Sequence, residues 1–559
     1  MTRSGAELLV KALMAQGASR CFGVPGESYL AVLDALRDSP IDFTLCRQEG
    51  GAAFMAEAWG KLTGTPGLAF VTRGPGATNA AIGVHTAMQD SSPMILFVGQ
   101  IETGMREREA FQEIDYRAFF GPIAKWATEI DSPDRVPEIV ARAYHVALSG
   151  RPGPVVVALP EDMLIAETEA PVHTARIRPP WPGLDPEAVR DAREMIALSE
   201  RPVALIGGGG WDVPGRGGRK ALSAFRHFCE QAHVPVVTAF RWQDLIDNTS
   251  PVFVGDAGFG MAPHVRRVLG DSDLVLAVNV RFGETATDGY SLFDLPAMRQ
   301  RLIHVHPSDR ELGKIYQTPH AVHASPAAFA TALAEEALPA APHRETWTRT
   351  AREAFLAQLS PPPQPGALDM GAVMAHLREV VPEDAIITNG AGNFAIWPGR
   401  HFLYGPQHRL LGAQAGAMGA GLPAAIAARL AEPHRMVVCF TGDGDLQMTL
   451  QELGTGLQAG ALPILLVLNN GTYGTIRMHQ ERAYPGRVSG TDLENPDFVA
   501  IGRAYGMHAE RVGTANAFPG AFDRARKAPG GALLELMLDK EALTPSRTLT
   551  QIREAARAA

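Results

Sequence analysis

The sequence has 559 residues and a formal net charge of −9 at pH 7. A single hydrophobic core stops growing well below this length, so about two to four domains are expected. Hydrophobic residues make up 46% of the chain and charged residues 20%, which is typical of a globular protein. The acidic balance gives no reason to expect nucleic acid as a partner, and no apolar run is long enough to cross a bilayer.

Four cysteines are spread along the chain, at positions 21, 46, 229 and 439, without the spacing of a metal site. Three of them lie in or beside apolar runs, so we interpret them as small buried side chains. The N-terminal segment is amphipathic and has no long apolar core, which does not favour a signal peptide. A reducing, cytoplasmic location is therefore expected.

Strand-like and helix-like patterns alternate in three blocks, which is typical of an α/β protein whose domains each contain a mostly parallel sheet flanked by helices. Short apolar runs bounded by glycine or proline predict buried parallel strands over residues 41–46, 68–71, 94–98, 155–159, 203–206, 274–280 and 302–305. Helices are predicted over residues 5–16 and 49–62. Proline-containing linkers include residues 175–183 and 359–368, which gives predicted domains at 1–165, 185–335 and 366–545.

Two strands of the third block are followed by oxygen-bearing side chains. The first ends in a Gly-Asp-Gly turn at 442–444, and the second ends at Asn469 and Asn470. Parallel sheets place ligands at the C-terminal ends of their strands, so Asp443 and the asparagine pair are expected to lie together. A helix predicted to begin near Leu446 points its N-terminus at the same place, which suits a phosphate group. A carboxylate, an amide oxygen and a backbone carbonyl are typical ligands of a Mg²⁺ ion that also binds substrate phosphates.

Taken singly, each of these two patterns is more typical of a turn or a cap than of a site. Together, with 24 residues between Gly444 and Asn469, they resemble the signature by which enzymes bind thiamine diphosphate. The resemblance continues in the same order along nearly the whole chain and is strongest to the acetolactate synthase-like group, in its large catalytic subunit. It implies a pyrimidine-binding domain, a central domain and a diphosphate-binding domain, and a homodimer or homotetramer whose sites lie between subunits.

Thiamine diphosphate chemistry needs a carboxylate that hydrogen-bonds the aminopyrimidine ring, whose 4′-nitrogen then removes the C2 proton. The resemblance assigns this catalytic role to Glu49, which follows a predicted strand and opens a helix rich in small residues. A glutamate favoured by the helix dipole is the structural alternative. Gln48 stands where many members of the family have histidine.

Other segments resemble loops of the same group, and each supplies implied contacts. The implied cofactor-binding residues are Pro25, Gly26, Gly392, Asn393, Gly416, Met418, Gly442, Asp443, Gly444, Asp445 and Asn470. The implied ligands of Mg²⁺ are Asp443, Asn470 and Thr472. The implied substrate pocket contains Phe111, Gln112, Arg281 and His479. Met418 is expected to lie under the bent cofactor, and the alternative is a methionine that fills a gap in the core.

Two segments depart from acetolactate synthases. Arg281 and Phe282 are present, but the Asp-Asp-Arg run that follows them in those enzymes is absent, which leaves FAD binding open. His479 stands where acetolactate synthases carry tryptophan, so a more polar or differently shaped acceptor is expected. An arginine at the surface and a solvent-facing histidine are the structural alternatives.

The function implied by the resemblance is a thiamine diphosphate- and Mg²⁺-dependent carboligase. It takes carbon dioxide from a 2-oxo acid and joins the remaining fragment to a carbonyl acceptor. A lyase or simple 2-oxo acid decarboxylase on the same fold, similar to benzaldehyde lyase, is the nearest alternative. A non-catalytic cofactor-binding homologue is more remote, because such a protein has no need of Glu49. A dehydrogenase that uses the glycine run at 207–210 is also less favoured, because no clear dinucleotide fingerprint follows that strand.

Overall fold

The computed structural model describes residues 2–172, 175–215, 217–339 and 341–558. The chain divides into two compact units. The first unit is formed by Met1–Pro180 with Ala413–His434 and Met448–Pro463, and the second by Trp181–Gly412, Arg435–Gln447 and Ile464–Ala559. Three six-stranded sheets are present in the described residues, and every strand pairing within them is parallel. The predicted fold class of parallel α/β domains is therefore confirmed.

The first unit contains one of these sheets and the helices that cover it. Its elements up to Pro180 are Arg3–Ser4 (β1), Gly5–Ala15 (α1), Arg20–Gly23 (β2), Leu30–Arg37 (α2), Asp42–Leu45 (β3), Glu49–Thr63 (α3), Gly67–Val71 (β4), Pro75–Asp90 (α4), Met94–Gln100 (β5), Tyr116–Phe120 (α5), Trp126–Glu129 (β6), Val136–Leu148 (α6), Pro154–Pro160 (β7), Glu161–Ile165 (α7) and Glu167–Thr168 (β8). The sheet order is β3-β2-β4-β5-β7-β6. The strands β4, β5 and β7 are buried along their whole length, because helices cover both faces of a parallel sheet.

The second unit begins with the central sheet. Its elements are Pro186–Ala197 (α8), Pro202–Ile206 (β9), Gly218–Ala232 (α9), Val236–Ala239 (β10), Phe253–Ala257 (β11), Pro263–Asp271 (α10), Leu274–Val278 (β12), Arg301–His306 (β13), His320–His323 (β14), Pro326–Leu333 (α11) and His343–Gln358 (α12). The strand order is β11-β10-β9-β12-β13-β14. The predicted strand over 274–280 is two residues too long, because Asn279 adopts a left-handed backbone with φ of 58° and ends the strand.

The C-terminal part of the chain forms the third sheet, in the order β16-β15-β17-β18-β20-β19. The elements are Met370–Val380 (α13), Ile386–Asn389 (β15), Ile396–Arg400 (α14), Arg409–Gly412 (β16), Gly421–Ala431 (α15), Val437–Gly442 (β17), Asp443–Leu446 (α16), Leu453–Gln458 (α17), Ile464–Asn469 (β18), Gly474–Ala483 (α18), Phe498–Ala504 (α19), His508–Val512 (β19), Phe518–Ala525 (α20), Ala532–Met537 (β20) and Leu549–Ala558 (α21). Of these, α15 and α17 belong to the first unit.

The predicted helix beginning near Leu446 is wrong. A single helical turn, α16, begins at Asp443 and ends at Leu446, and the next α-helix begins only at Leu453. Between them the hydroxyl of Thr449 donates to the carbonyl of Gly419 at 2.7 Å, outside any helical pattern. The apolar periodicity continues through this break, so it could not reveal the break.

All four cysteines are buried and none of them forms a disulfide, which agrees with the interpretation of three of them as small buried side chains. Within the described ranges, no helix combines the length and the apolar character needed to cross a membrane.

Candidate active site

The Gly-Asp-Gly turn follows β17 and lies beside the end of β18, its parallel neighbour, with Gly442 opposite Leu468. Asp443 is 3% exposed. Its carboxylate accepts hydrogen bonds from the backbone N–H of Gly444 at 2.9 Å and of Gly471 at 2.8 Å. Burial raises the pKa of this carboxyl, and the hydrogen bonds that it accepts oppose the rise. The structure therefore brings the two predicted strand ends together around one buried carboxylate.

Asn495 is a further residue of this site, and the sequence reasoning missed it. Its Nδ2 donates to Oδ2 of Asp443 at 2.7 Å and to Oδ1 of Asn469 at 3.0 Å. Its own Oδ1 accepts from Gln447 at 3.0 Å. Asn495 lies in a loop ahead of α19, where an asparagine before a proline reads as an ordinary turn. No sequence signal distinguishes it from other loop asparagines.

Asn470 and Thr472 follow the end of β18, where the sequence predicted metal ligands. The backbone N–H of Thr472 donates to Oδ1 of Asn470 at 3.3 Å. Thr472 is buried, and its hydroxyl donates to the carbonyl of Thr491 at 2.8 Å. The hydroxyl thus donates within the protein, and the backbone carbonyl remains the ligand atom that the sequence led us to expect.

The loop after β15, from Gly390 to Asn393, is held by two side chains. The carboxylate of Asp445 accepts from the backbone N–H of Ala391 at 3.0 Å and from the hydroxyl of Thr441 at 2.7 Å. The hydroxyl of Thr475 accepts from the backbone N–H of Asn393 and donates to its side-chain oxygen, both at 2.9 Å. Asp445 was predicted to bind the cofactor. In the structure its carboxylate instead holds the loop that contains Gly392 and Asn393, through the backbone of Ala391.

Glu49 is the first residue of α3, as predicted, and lies half-buried in the first unit. Its Oε2 accepts from Nδ2 of Asn79 at 2.9 Å. The preceding Gln48 caps the helix, because its side-chain oxygen accepts from the backbone N–H of Gly50 at 2.6 Å and of Gly51 at 3.1 Å. Gln48 thus has a structural role, because it caps the helix that begins with Glu49.

The predicted substrate-side residues Phe111 and Gln112 lie near the loop after β4. Phe111 is 71% exposed, and the Arg73 guanidinium lies 5.9 Å from the centre of its ring. Gln112 adopts a left-handed backbone with φ of 65°. A Cβ on Gly74 would lie 2.8 Å from the Cβ of Gln112, so only glycine lets the two loops approach so closely.

The predicted contacts Pro25 and Gly26 lie in the loop after β2. A side chain on Gly26 would overlap Thr72 of the loop after β4. Gly416 is exposed and adopts a left-handed φ of 65°, while Met418 is half-buried. Met418 is therefore not a fully buried core residue.

Two other residues predicted for the substrate pocket, Arg281 and His479, lie at separate places in the second unit. Arg281 lines a cavity of about 120 Å³ in the central part of the second unit, together with Tyr290, His304 and Tyr316. His479 lies in the middle of α18 and is exposed in this chain. The exposed position agrees with the alternative of a solvent-facing histidine and leaves its predicted role in the substrate pocket untested.

The residues around Asp443 fit a divalent cation and a diphosphate. No group of three or more His, Cys, Asp or Glu side chains that could hold a metal occurs among residues 2–172, 175–215, 217–339 and 341–558. A single carboxylate with an amide oxygen instead suits Mg²⁺, which keeps water and phosphate oxygens as its other ligands. A Cβ on Gly444 would lie 2.5 Å from the Tyr473 ring, so the close approach at this turn requires glycine.

The family models agree with this site. The thiamine pyrophosphate enzyme N-terminal TPP binding domain matches residues 3–119, the central domain matches 189–333 and the C-terminal TPP binding domain matches 390–536. The chain therefore belongs to the thiamine pyrophosphate enzyme family, and the predictions of that family and of an enzyme are confirmed. Its two terminal matches are thiamine diphosphate-binding domains by description.

Within this family, the chain is similar to large subunits of acetolactate synthases. The chain is 33% identical over 529 residues to the acetolactate synthase large subunit of Parasynechococcus marenigrum, which covers 91% of this chain and 84% of the relative. It is 30% identical over 543 residues to the acetolactate synthase isozyme 2 large subunit of Escherichia coli, with 96% of each chain covered. The isozyme 1 large subunit of the same organism is 31% identical over 545 residues, which covers 96% of this chain and 94% of that subunit.

Proposed function

We propose that the protein is a thiamine diphosphate- and Mg²⁺-dependent enzyme that decarboxylates a 2-oxo acid and joins the remaining fragment to a second carbonyl compound. Two observations support the substrate class. The acetolactate synthase relatives match almost the whole chain, and the segment that contains Phe111 and Gln112 resembles the substrate-side segment of acetolactate synthases. A homodimer or homotetramer with shared sites belongs to the same proposal.

The position of Glu49 at the start of α3 is the main support for the proposal. Its carboxylate stands at the positive end of α3, half-buried, with one hydrogen bond to Asn79. In this position the carboxylate can accept a hydrogen bond from a ring nitrogen of the cofactor. When bound, thiamine diphosphate supplies the nucleophilic carbon and the electron sink for decarboxylation. The role of Glu49 is to accept and keep the hydrogen bond from the aminopyrimidine, and Gln48 and Asn79 fix its position.

The residues at the ends of β17 and β18 would hold the cation that neutralises the diphosphate. Asp443 would supply the charge, Asn470 an amide oxygen and Thr472 a backbone carbonyl. Gly442 and Gly444 would allow the backbone to approach the phosphates, and the loop containing Gly392 and Asn393 would supply further contacts to the cofactor. Asp445 keeps this loop in place through Ala391. Together these residues would position the cofactor and neutralise its negative charge.

The first test is carbon dioxide release from pyruvate in the presence of thiamine diphosphate and Mg²⁺, followed by product identification. Acetolactate as the product supports the proposal in full. Acetaldehyde in its place supports the decarboxylase alternative. Cofactor binding without release from pyruvate means that the donor is another 2-oxo acid or an aldehyde, and a panel of such donors then identifies it.

A second test addresses Glu49 directly by hydrogen–deuterium exchange at C2 of the bound cofactor. We expect Glu49→Gln to bind thiamine diphosphate but to lose most of the enhanced exchange, because a neutral amide does not support proton removal. Glu187→Gln is the matched control, since Glu187 also lies in the first turn of a helix, α8. Unchanged exchange in the Glu49 variant contradicts the assignment.

A further inference from the structure

A buried carboxylate lies behind the proposed metal site, on the strand next to β18. The Glu535 side chain on β20 is 2% exposed and faces two donors. Its Oε1 accepts from Nδ2 of Asn469 at 2.8 Å, and its Oε2 accepts from Nε of Arg511 at 2.8 Å. A buried carboxylate is retained only where such partners replace water. Neither Glu535 nor Arg511 belongs to the residues assigned to the cofactor above.

Asn469 transmits the position of Glu535 to the metal site. Because its amide nitrogen faces Glu535, its oxygen faces Asn495 and Gly471, from which it accepts at 3.0 and 3.1 Å. The same two donors also bond Oδ2 of Asp443, at 2.7 and 2.8 Å. The Asn469 oxygen and the Asp443 carboxylate therefore share both donors and fix each other's position.

The chemistry of the groups makes this arrangement directional. An asparagine side chain can rotate so that its oxygen and nitrogen exchange places. In the rotated state, the Nδ2 of Asn469 would face the donors of Asn495 and Gly471, and its oxygen would face the Glu535 carboxylate. Glu535 can only accept when ionised, so it disfavours that state. Without Glu535, nothing on β20 would keep the Asn469 oxygen turned toward the donors of Asp443.

We propose that Glu535 is a positioning residue for the metal site, and that it acts through Asn469 and Asn495 on the carboxylate of Asp443. The inference rests on the proposed function, because it requires that Asp443 holds a divalent cation. It assigns to Glu535 the role that outer-shell partners have in metal sites, where they orient the ligand and raise its affinity for the metal.

The test is a titration with Mn²⁺ in the presence of thiamine diphosphate, in which free Mn²⁺ is followed by electron paramagnetic resonance. We expect Glu535→Leu to weaken Mn²⁺ binding about 10-fold or more, the range found for outer-shell partners of metal ligands. Glu535→Gln should cause a smaller loss, since its oxygen can accept from Asn469 but its amide nitrogen then faces Arg511. Activity at saturating Mg²⁺ should recover partly in both variants, while the Mg²⁺ concentration needed rises.

Glu510 provides the matched control. It lies on the neighbouring strand β19 and accepts from Arg524 at 3.0 and 2.7 Å. Within the described part of the chain, no hydrogen bond or ion pair joins it to Asn469. Glu510→Gln removes an acid–arginine pair from the same sheet and should leave Mn²⁺ affinity unchanged. Equal losses in the Glu510 and Glu535 variants would mean a general effect on the sheet and would overturn the inference.

Further outcomes are decisive. If Glu535→Leu is folded by circular dichroism and binds Mn²⁺ as the wild type does, the inference is wrong. If that variant does not fold, Glu535→Gln decides in the same way. Adding Glu535→Gln to Asn469→Ala should cause no further loss of Mn²⁺ affinity, and an additive loss contradicts the route through Asn469. Absence of Mn²⁺-dependent cofactor binding in the wild type overturns the proposed function itself, and the inference with it.

Discussion

Replacement of Glu57 by glutamine is expected to stabilise the protein above neutral pH. Glu57 is buried in α3, and its Oε1 accepts from the hydroxyl of Ser92 at 2.7 Å. The neighbouring Lys61 and Asp90 form a buried ion pair at 2.8 Å. Burial, and then repulsion by Asp90, raise the pKa of Glu57 from 4.5 to about 7. Glutamine has the same shape and keeps the oxygen that accepts from Ser92.

The size and sign of the effect follow from proton linkage. Between pH 4.5 and about 7, Glu57 keeps its proton in the folded protein but loses it in the unfolded chain, so the free energy of unfolding falls as the pH rises. A rise in pKa from 4.5 to about 7, at about 1.4 kcal/mol per pH unit, corresponds to roughly 3 kcal/mol. Glutamine has no proton to lose, so the variant avoids this loss.

The assay compares thermal unfolding of the wild type and Glu57→Gln from about pH 5 to about pH 9, with the exposed Glu187→Gln as the control. We expect nearly equal midpoints near the acid end and a higher midpoint for Glu57→Gln above about pH 7. The gain should build up between pH 4.5 and about 7, where the unfolded wild-type chain has lost the Glu57 proton but the folded protein still holds it. A variant that is no more stable at alkaline pH, or a gain that does not change with pH, would refute this account of Glu57.

Three other predictions test separate parts of the structure. Mixing the inactive variants Glu49→Gln and Asp443→Asn should restore activity, to about a quarter of wild type after random exchange into dimers, only if sites are shared between subunits; no restoration contradicts shared sites. Gly390→Ala places a methyl group on the Asp445 carboxylate, so thiamine diphosphate affinity measured by calorimetry should fall, and an unchanged affinity would show that the loop adapts. The Arg553 guanidinium, which donates to Glu481 at 2.8 and 2.9 Å, is the main cause that lowers the pKa of Glu481 to about 2. The stability that this ion pair contributes is present above pH 4.5 and is lost as the pH falls toward 2. Arg553→Met should therefore lower the unfolding temperature at pH 7 but have little effect near pH 2. An equal decrease at both pH values would contradict the role of the ion pair.

The sequence predicted the parallel sheets well because the relevant signal is local. Short runs such as residues 94–98 and 155–159 are apolar on both faces, which is the pattern of strands covered by helices on both sides. The same local logic placed Asp443 and the Asn469–Asn470 pair at strand ends and therefore close together. The position of Glu49 at the start of α3 was also predictable, because a strand and a turn precede this residue and a run of small residues follows it.

The breaks within elements were less predictable, because hydrogen bonds between distant residues override local periodicity. The continuous apolar pattern after Asp443 predicted one helix, but the hydroxyl of Thr449 bonds to Gly419, 30 residues earlier. Gln48 gives another example. In the sequence, Gln48 was notable only because many members of the family have histidine at this position. The structure shows that its side-chain oxygen caps α3.

The sequence by itself determined the α/β class and the residues that meet at the strand ends, because backbone periodicity and chain order encode them. Its motifs carried the resemblance to the family. Only the tertiary structure decided which side chains hold those residues in place. Asn495 reaches Asp443 from 52 residues away, and Glu535 reaches Asn469 from 66 residues away. Such contacts depend on strand order, register and side-chain rotation, and none of these is a property of a short stretch of sequence.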